Sequence, residues 1–130
     1  MKNEVTAKDQ NSFSIKARLK SFRYAFEGLN IFFSTQHNAL IHLVMTLVAF
    51  SAGVFYNITK TEAIALALAA GFVWAAELFN TAIEKLADTI SKDFHPGIKF
   101  IKDVSAAAVL LSAIAAFITG AIIFLPKVLS

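Results

Sequence analysis

Four polar residues that could act together recur along one part of the sequence: Glu77, Asn80, Glu84 and Asp88. At about 100° per residue, their spacing places all four within an arc of about 80° on one face of a helix. We call these four residues the acidic stripe. Glu77 lies in an apolar run, where an ionisable group is costly unless it faces protein or water. Neighbouring carboxylates repel one another, so cations must neutralise the stripe.

Two sources of positive charge are available to the acidic stripe. Oxygen ligands favour a hard divalent ion such as magnesium, which binds one or two carboxylates together with the phosphates of a substrate. Lys102 and Asp103 precede the next apolar run, where a basic donor and an acid could meet the stripe and a nucleotide's phosphates. The alternative for Glu84 and Asp88 is a solvated helix end with ordinary ion pairs. His42 is expected to be a membrane-interface or helix-packing residue.

The composition points to a membrane as the setting for this chemistry. Of the 130 residues, 57% are hydrophobic and 16% are charged, and the mean hydropathy is +0.64. Globular chains are roughly 45–50% apolar and about 25% charged. These values exclude disorder and favour a single all-α integral membrane domain over residues 12–130. The lack of cysteine excludes a disulfide framework and a thiolate nucleophile.

Three apolar runs are near or above the roughly 20 residues needed to cross about 30 Å of hydrocarbon. They predict membrane helices over 39–57, 61–90 and 103–126, the last ending at Pro126.

The connections between these helices are predicted from turn-forming residues. Asn57 and Thr59 predict a turn and a helix cap. The His-Pro-Gly sequence at 95–97 predicts that residues 91–103 form a loop.

The amino-terminal part is predicted to lie outside the hydrocarbon. Residues 1–11 are polar and lack the features of a signal peptide, so we expect a cytoplasmic tail. In residues 12–34, phenylalanine and other apolar residues recur at helical spacing with basic residues between them. This pattern is typical of an amphipathic surface helix.

Lysine and arginine predict the orientation. Ten lie in the amino-terminal region and around the 91–103 loop, against two in the 57–60 hairpin and at the carboxyl end. This asymmetry predicts a multi-pass protein of the cell (inner) membrane with a cytoplasmic amino terminus. Anionic lipid and a polyphosphate ligand explain the net charge of +3, and no nucleic-acid partner is expected.

Small residues in the last two apolar runs predict close helix association. Because three spans alone would leave Glu77 near lipid, we expect a homo-oligomer that covers it.

Two other function classes stay open: a small transporter using Glu77 as a buried acid, and a structural membrane protein. A transporter of that kind predicts a lone midplane acid and usually four spans, and the acidic stripe weighs against both classes.

The acidic stripe lies within a longer pattern: Glu, two residues, Asn-Thr-Ala-Ile-Glu, three residues, Asp, over 77–88. Phe94-His95-Pro96 and a Lys-Asp pair followed by small residues come next. From about residue 20 to 124 the sequence resembles the prokaryotic diacylglycerol kinase and undecaprenol kinase family. The resemblance implies a homotrimer with three transmembrane helices and a surface helix per subunit. It also implies transfer of the gamma-phosphoryl group of ATP to a lipid hydroxyl.

The same resemblance implies roles for individual residues. Glu77 matches the general base, Asn80 positions the reacting centre with Asp88 as a supporting acid, and Glu84 matches a magnesium ligand. The implied nucleotide-binding positions are Tyr24, Phe94, His95, Lys102 and Asp103.

One position departs from the family's pattern. Many relatives carry a glutamate before the first membrane helix as a second metal ligand, and this chain has Gln36 there. A neutral carboxamide is a weaker ligand, so we expect either one ion held by Glu84 and phosphates or reduced activity. The lipid stays open between undecaprenol and diacylglycerol, although the motif is more similar to the undecaprenol branch.

Overall fold

The computed structural model describes residues 14–130, which form four α-helices joined by short connections. In chain order the helices are α1 (Ile15–Thr35), α2 (His37–Phe55), α3 (Lys60–Ile90) and α4 (Pro96–Val128). The predicted tail 1–11 and the first two residues of the predicted surface helix lie outside the described residues.

Helices α2, α3 and α4 are long and apolar enough to cross a membrane, so the chain is a multi-pass membrane protein with three candidate spans. At 1.5 Å per residue, α3 and α4 measure about 46 and 50 Å. Both exceed the roughly 30 Å of a hydrocarbon core, so they extend beyond it. We call the end of the bundle that carries the 91–95 connection the polar end.

Packing centres on α3, which contacts α4 most extensively and α2 less. The buried apolar residues form a narrow core: Phe32, Ala39, Leu66, Val73, Ala87 and Ile123. Most large apolar side chains instead face outward, and Phe72, Phe79 and Phe117 are each at least 70% exposed. Such a surface suits lipid or further protein chains rather than water.

The α2–α3 connection follows the predicted turn chemistry. Asn57 adopts a left-handed backbone conformation with φ of 51°. Thr59 caps α3 through a capping box: the Glu62 backbone N–H donates to the Thr59 hydroxyl at 3.2 Å, and the Thr59 N–H donates to the Glu62 carboxylate at 2.7 Å. This reciprocal pair satisfies two backbone donors that would otherwise have no partner. The predicted cap at Thr59 is confirmed.

The predicted loop over 91–103 is wrong, because α4 already begins at Pro96. Proline suits the first helical position, where its missing N–H would have no partner and its φ is already helical. His95 caps the helix, with its Nδ1 accepting the Gly97 N–H at 3.1 Å. The helix therefore starts seven residues before the predicted start at 103, and Lys102 lies on a helix.

The predicted stop at Pro126 is also wrong, since α4 continues to Val128. A proline removes one backbone donor, but the hydrogen bonding resumes after it: the Leu129 N–H donates to the Leu125 carbonyl at 3.1 Å. The two further residues include Lys127, whose Nζ lies 3.2 Å from the Glu62 Oε1. This ion pair links the end of α4 to the start of α3.

Candidate active site

The acidic stripe runs along α3 from a buried to an exposed position. Glu77 is 5% exposed, Asn80 and Glu84 are partly buried, and the Asp88 side chain is 53% exposed. Measured from Lys60, Glu77 lies about 26 Å and Asp88 about 42 Å along the helix axis. A hydrocarbon layer of about 30 Å that began at Lys60 would end between these two residues, with Glu77 inside it and Asp88 beyond it.

The expectation that a single chain would leave Glu77 near lipid is wrong. The packing of one chain already buries the carboxylate, because α2 supplies a polar partner on the adjacent face. Covering Glu77 is therefore no longer a reason to expect an oligomer.

The partner of Glu77 is His42, whose Nε2 lies 2.7 Å from the Glu77 Oε1. Sequence reasoning treated His42 as a packing or interface residue and missed this pair. A signal was available, because α2 and α3 are joined by a short turn. His42 precedes the end of α2 by 13 residues and Glu77 follows the start of α3 by 17, so their depths differ by about one helical turn.

Aromatic and hydroxyl groups surround this pair. The Trp74 ring lies edge-on to the His42 imidazole, with ring centroids 6.3 Å apart. Its indole N–H donates to the Thr46 hydroxyl at 3.1 Å, and that hydroxyl donates to the His42 carbonyl at 2.7 Å. Phe32 and Phe33 from α1 also contact the indole, with ring centroids 6.2 and 5.4 Å from it. The histidine is thus held by both its backbone and its ring.

Asn80 is oriented by a serine of α4. The buried Ser105 hydroxyl lies 2.7 Å from the Asn80 Oδ1 and 2.9 Å from the Lys102 carbonyl. A hydroxyl that donates to the amide oxygen leaves the amide N–H groups of Asn80 as donors for a ligand.

Asp88 at the polar end pairs with Lys102, whose Nζ lies 2.9 Å from the Asp88 Oδ1. Asp103 does not face the acidic stripe; it pairs with Lys99 one turn earlier on its own helix. Lys102 therefore contacts the acidic stripe, whereas Asp103 pairs within α4.

A cavity of about 390 Å³ opens at the polar end, around the α3–α4 connection. Its lining includes Asp88, Phe94, His95, Lys102 and Asp103. Four of the five implied nucleotide-binding positions thus line one space. The fifth, Tyr24, is not among the lining residues and lies on α1 with 56% of its surface exposed.

A second cavity of about 310 Å³ lies between α2, α3 and α4. His42 and Thr46 line one part of it, and apolar residues such as Met45, Val73 and Phe117 line most of the rest. This cavity is therefore mainly apolar, and it reaches His42, the residue that contacts Glu77.

The candidate metal ligands do not form a ready-made metal centre. Among residues 14–130, no group of three or more histidine or acidic side chains is placed to hold a metal ion. Glu84 is partly buried, and the Gln36 carboxamide lies 3.5 Å from the Thr35 hydroxyl. This donor set fits an ion that arrives with phosphates and takes one protein carboxylate, because magnesium commonly keeps phosphate and water ligands.

These features define a small helical protein with three candidate membrane spans, a buried carboxylate on α3 and a charged cavity at the polar end. The chain belongs to the prokaryotic diacylglycerol kinase family, whose pattern matches residues 23–124. The resemblance seen in the motifs is therefore confirmed.

Two curated relatives support the assignment to the family. The chain is 40% identical over 113 residues to a diacylglycerol kinase from Synechocystis sp., covering 86% of this chain and 65% of that protein. It is 34% identical over 108 residues to an undecaprenol kinase from Bacillus subtilis, covering 83% of this chain and 88% of the relative. The chain thus spans slightly less than two thirds of the Synechocystis protein.

Proposed function

We propose that this protein is a membrane lipid kinase that transfers the gamma-phosphoryl group of ATP to a lipid hydroxyl. The observation that carries the proposal is the position of Glu77: a buried carboxylate about 26 Å along α3, on the same face as Asn80, Glu84 and Asp88. A lipid hydroxyl and a water-soluble nucleotide can meet only at such a boundary.

In the proposed reaction, Glu77 is the general base. The lipid O–H bond breaks, and its proton goes to the Glu77 carboxylate. The lipid oxygen bonds to the gamma-phosphorus while the bond from that phosphorus to the beta–gamma bridging oxygen breaks, which releases ADP. Such transfers depend mainly on positioning and charge stabilisation. Asn80, oriented by Ser105, would donate hydrogen bonds to the reacting centre, with Asp88 as a supporting acid.

The polar-end cavity would bind the nucleotide. Lys102 supplies a cation for phosphate oxygens, and Phe94 and His95 supply flat side chains for a base or ribose. Asp103 and the more distant Tyr24 complete the proposed nucleotide-binding set. Glu84 would hold magnesium, with Gln36 at most a weak further ligand, and the ion would neutralise charge on the phosphates.

The apolar cavity beside His42 supports a lipid as the acceptor. It extends from His42 along the membrane-spanning part of α2, so a hydrocarbon chain lying in it would bring its hydroxyl towards Glu77. The two curated relatives carry the names of both candidate lipids, undecaprenol and diacylglycerol. We propose one of these primary alcohols as the substrate.

We further propose that the enzyme acts as a homotrimer in the bacterial inner membrane, with its amino terminus in the cytoplasm. The excess of lysine and arginine at the polar end supports this orientation. The exposed apolar surface supports association between copies, as does a groove between α3 and α4 in which Ala65, Ala69 and Ala115 lie beside Leu68 and Phe72.

The testing experiment measures ATP-dependent phosphorylation by the purified protein in mixed micelles. Diacylglycerol and undecaprenol are compared side by side, with magnesium withheld in a control. Glu77→Gln should lower kcat by about 10²- to 10⁴-fold, the range for a lost general base.

The matched control is Glu62→Gln at the other end of the same helix, where the carboxylate pairs with Lys127. This variant should keep the wild-type rate. Absence of phosphorylated product from both lipids, or a Glu77→Gln variant as fast as Glu62→Gln, would contradict the proposal.

A further inference from the structure

Within residues 14–130, the hydrogen bond between His42 and Glu77 is the one polar side-chain contact that joins α2 to the acidic stripe. The two side chains meet at 2.7 Å, with 23% of the histidine side chain and 6% of the glutamate side chain exposed. Asn80 and Asp88 of the stripe instead make their hydrogen bond and ion pair with residues of α4. The proposed base is therefore held from a different helix than the proposed nucleotide site.

The proposed role of Glu77 as the base determines which atom of this pair carries the hydrogen. A glutamate that is ready to accept a proton is ionised, and an ionised carboxylate only accepts hydrogen bonds. The His42 Nε2 must then carry the hydrogen and donate it to the Glu77 Oε1. One carboxylate oxygen is thereby fixed, and the other oxygen is left to accept the proton of the substrate.

The surroundings of His42 hold its donor in place. Trp74 packs against the imidazole edge, and the Thr46 hydroxyl bonded to Trp74 also bonds to the His42 carbonyl. An imidazole clamped in this way presents its Nε2 to Glu77 at little cost in side-chain entropy.

We propose that His42 is the positioning residue for Glu77. It orients the carboxylate towards the lipid hydroxyl by donating from Nε2 to one carboxylate oxygen. This inference rests on the proposed function, since it assigns how the base of that reaction is held. The apolar cavity reaches His42, so the acceptor lipid and the positioning residue meet on the same side of α3.

Three variants test the inference in the mixed-micelle assay. His42→Leu removes the donor and should lower kcat on the order of 10²-fold, with KM for ATP and lipid little changed. His42→Gln keeps an N–H donor on a side chain of similar length and should recover most of the lost rate. His37→Gln alters the exposed histidine at the start of the same helix and should match the wild type.

The outcomes separate positioning from simple packing. A packing role would make His42→Gln as slow as His42→Leu, and that result would overturn the inference. So would a His42→Leu variant with wild-type kcat. Gel filtration and circular dichroism in detergent identify any variant that does not fold. If His42→Leu does not fold, the kcat of His42→Gln relative to the wild type still tests the inference.

A second measurement does not depend on activity. Nuclear magnetic resonance of protein labelled at histidine nitrogen should show a low-field Nε2–H proton for His42 that is lost in Glu77→Ala. A wild-type His42 without a hydrogen at Nε2 would overturn the inference. If the wild type phosphorylated neither lipid, the proposed function would fail, while this spectrum would still test the pair itself.

Discussion

Lys102 and Asp88 join the two longest helices at the polar end, with the lysine Nζ 2.9 Å from the aspartate Oδ1. The pair bridges the 91–95 connection and lies on the wall of the charged cavity. Because both side chains are more than a third exposed, the pair itself contributes little to stability. The pair does place a cation in the lining of the cavity that we propose for the nucleotide.

We predict that Lys102→Met weakens nucleotide binding. A hydrogen bond to a charged group contributes about 1.5–3 kcal/mol, so KM for ATP should rise by about 10- to 100-fold. KM for the lipid should change little, because Lys102 does not line the cavity proposed for the lipid. Steady-state kinetics with each substrate varied in turn measures both values.

The matched control for this prediction is Lys127→Met. Lys127 also lies on α4 and also pairs with a carboxylate of α3, but at the opposite end of the bundle. It should leave both KM values unchanged. Equal effects of the two substitutions would mean that Lys102 acts through helix packing and not through the nucleotide.

We predict that Gln36→Glu lowers the magnesium concentration needed for half-maximal activity. The substitution restores a carboxylate where the resemblance implies a second metal ligand, and magnesium prefers charged oxygen ligands. Gln36 precedes α2 and its side chain makes no capping hydrogen bond, so the change disrupts no existing cap. The measurement is a magnesium titration of initial rates at fixed ATP.

A new negative charge at a helix amino terminus also stabilises the helix, and a control must separate that effect. His37→Glu adds the same charge one residue later and should leave the titration unchanged. If Gln36→Glu also leaves it unchanged, Gln36 does not lie at the metal.

The cap of α4 gives a third prediction, on Gly97→Ala. A Cβ at position 97 would lie 3.2 Å from the Nδ1 and Cε1 atoms of His95, so the imidazole must shift. The expected loss from a weakened cap is about 0.5–2 kcal/mol, partly offset by about 1 kcal/mol of higher helix propensity. Stability should therefore change little, while KM for ATP rises severalfold because His95 lines the cavity.

The comparison variant is His95→Asn, which keeps a capping side chain and removes the imidazole. It should unfold at the wild-type temperature and still show the higher KM for ATP. A wild-type KM in both variants would exclude His95 from the nucleotide site.

The helices and the acidic stripe could be predicted because they depend on local patterns. Apolar runs of membrane-spanning length and the 100° geometry of a helix require no knowledge of packing. Two of the errors in helix boundaries involve proline, while α2 runs His37–Phe55 and not over the predicted 39–57. We predict a helix break at each proline, but Pro96 is the first residue of α4 and Pro126 lies within its last turn. A proline near a helix end can lie inside the helix or outside it, and only the neighbouring hydrogen bonds show which.

The partners of the stripe could not be predicted equally well, because each depends on which faces of two helices meet. Lys102 was expected near the stripe from its place in the chain, and the structure places it there. Asp103 follows it by one residue, about 100° around the helix, and pairs with Lys99 instead. Predicting the contact between His42 and Glu77 would have required the relative rotation of α2 and α3. Because α2 is almost wholly apolar, its sequence pattern does not show which face packs on α3.

The last prediction concerns Asn57 in the α2–α3 turn, whose φ of 51° is in the left-handed region. Residues with a branched Cβ are strained there, whereas asparagine and glycine adopt this conformation readily. Asn57→Val should therefore destabilise the protein by about 1–2 kcal/mol, and Asn57→Gly by much less. Because this turn lies at the opposite end from the candidate active site, kcat at low temperature should stay at the wild-type value. Thermal unfolding in detergent measures the difference, and equal stability of the two variants would show that the turn does not need the left-handed conformation.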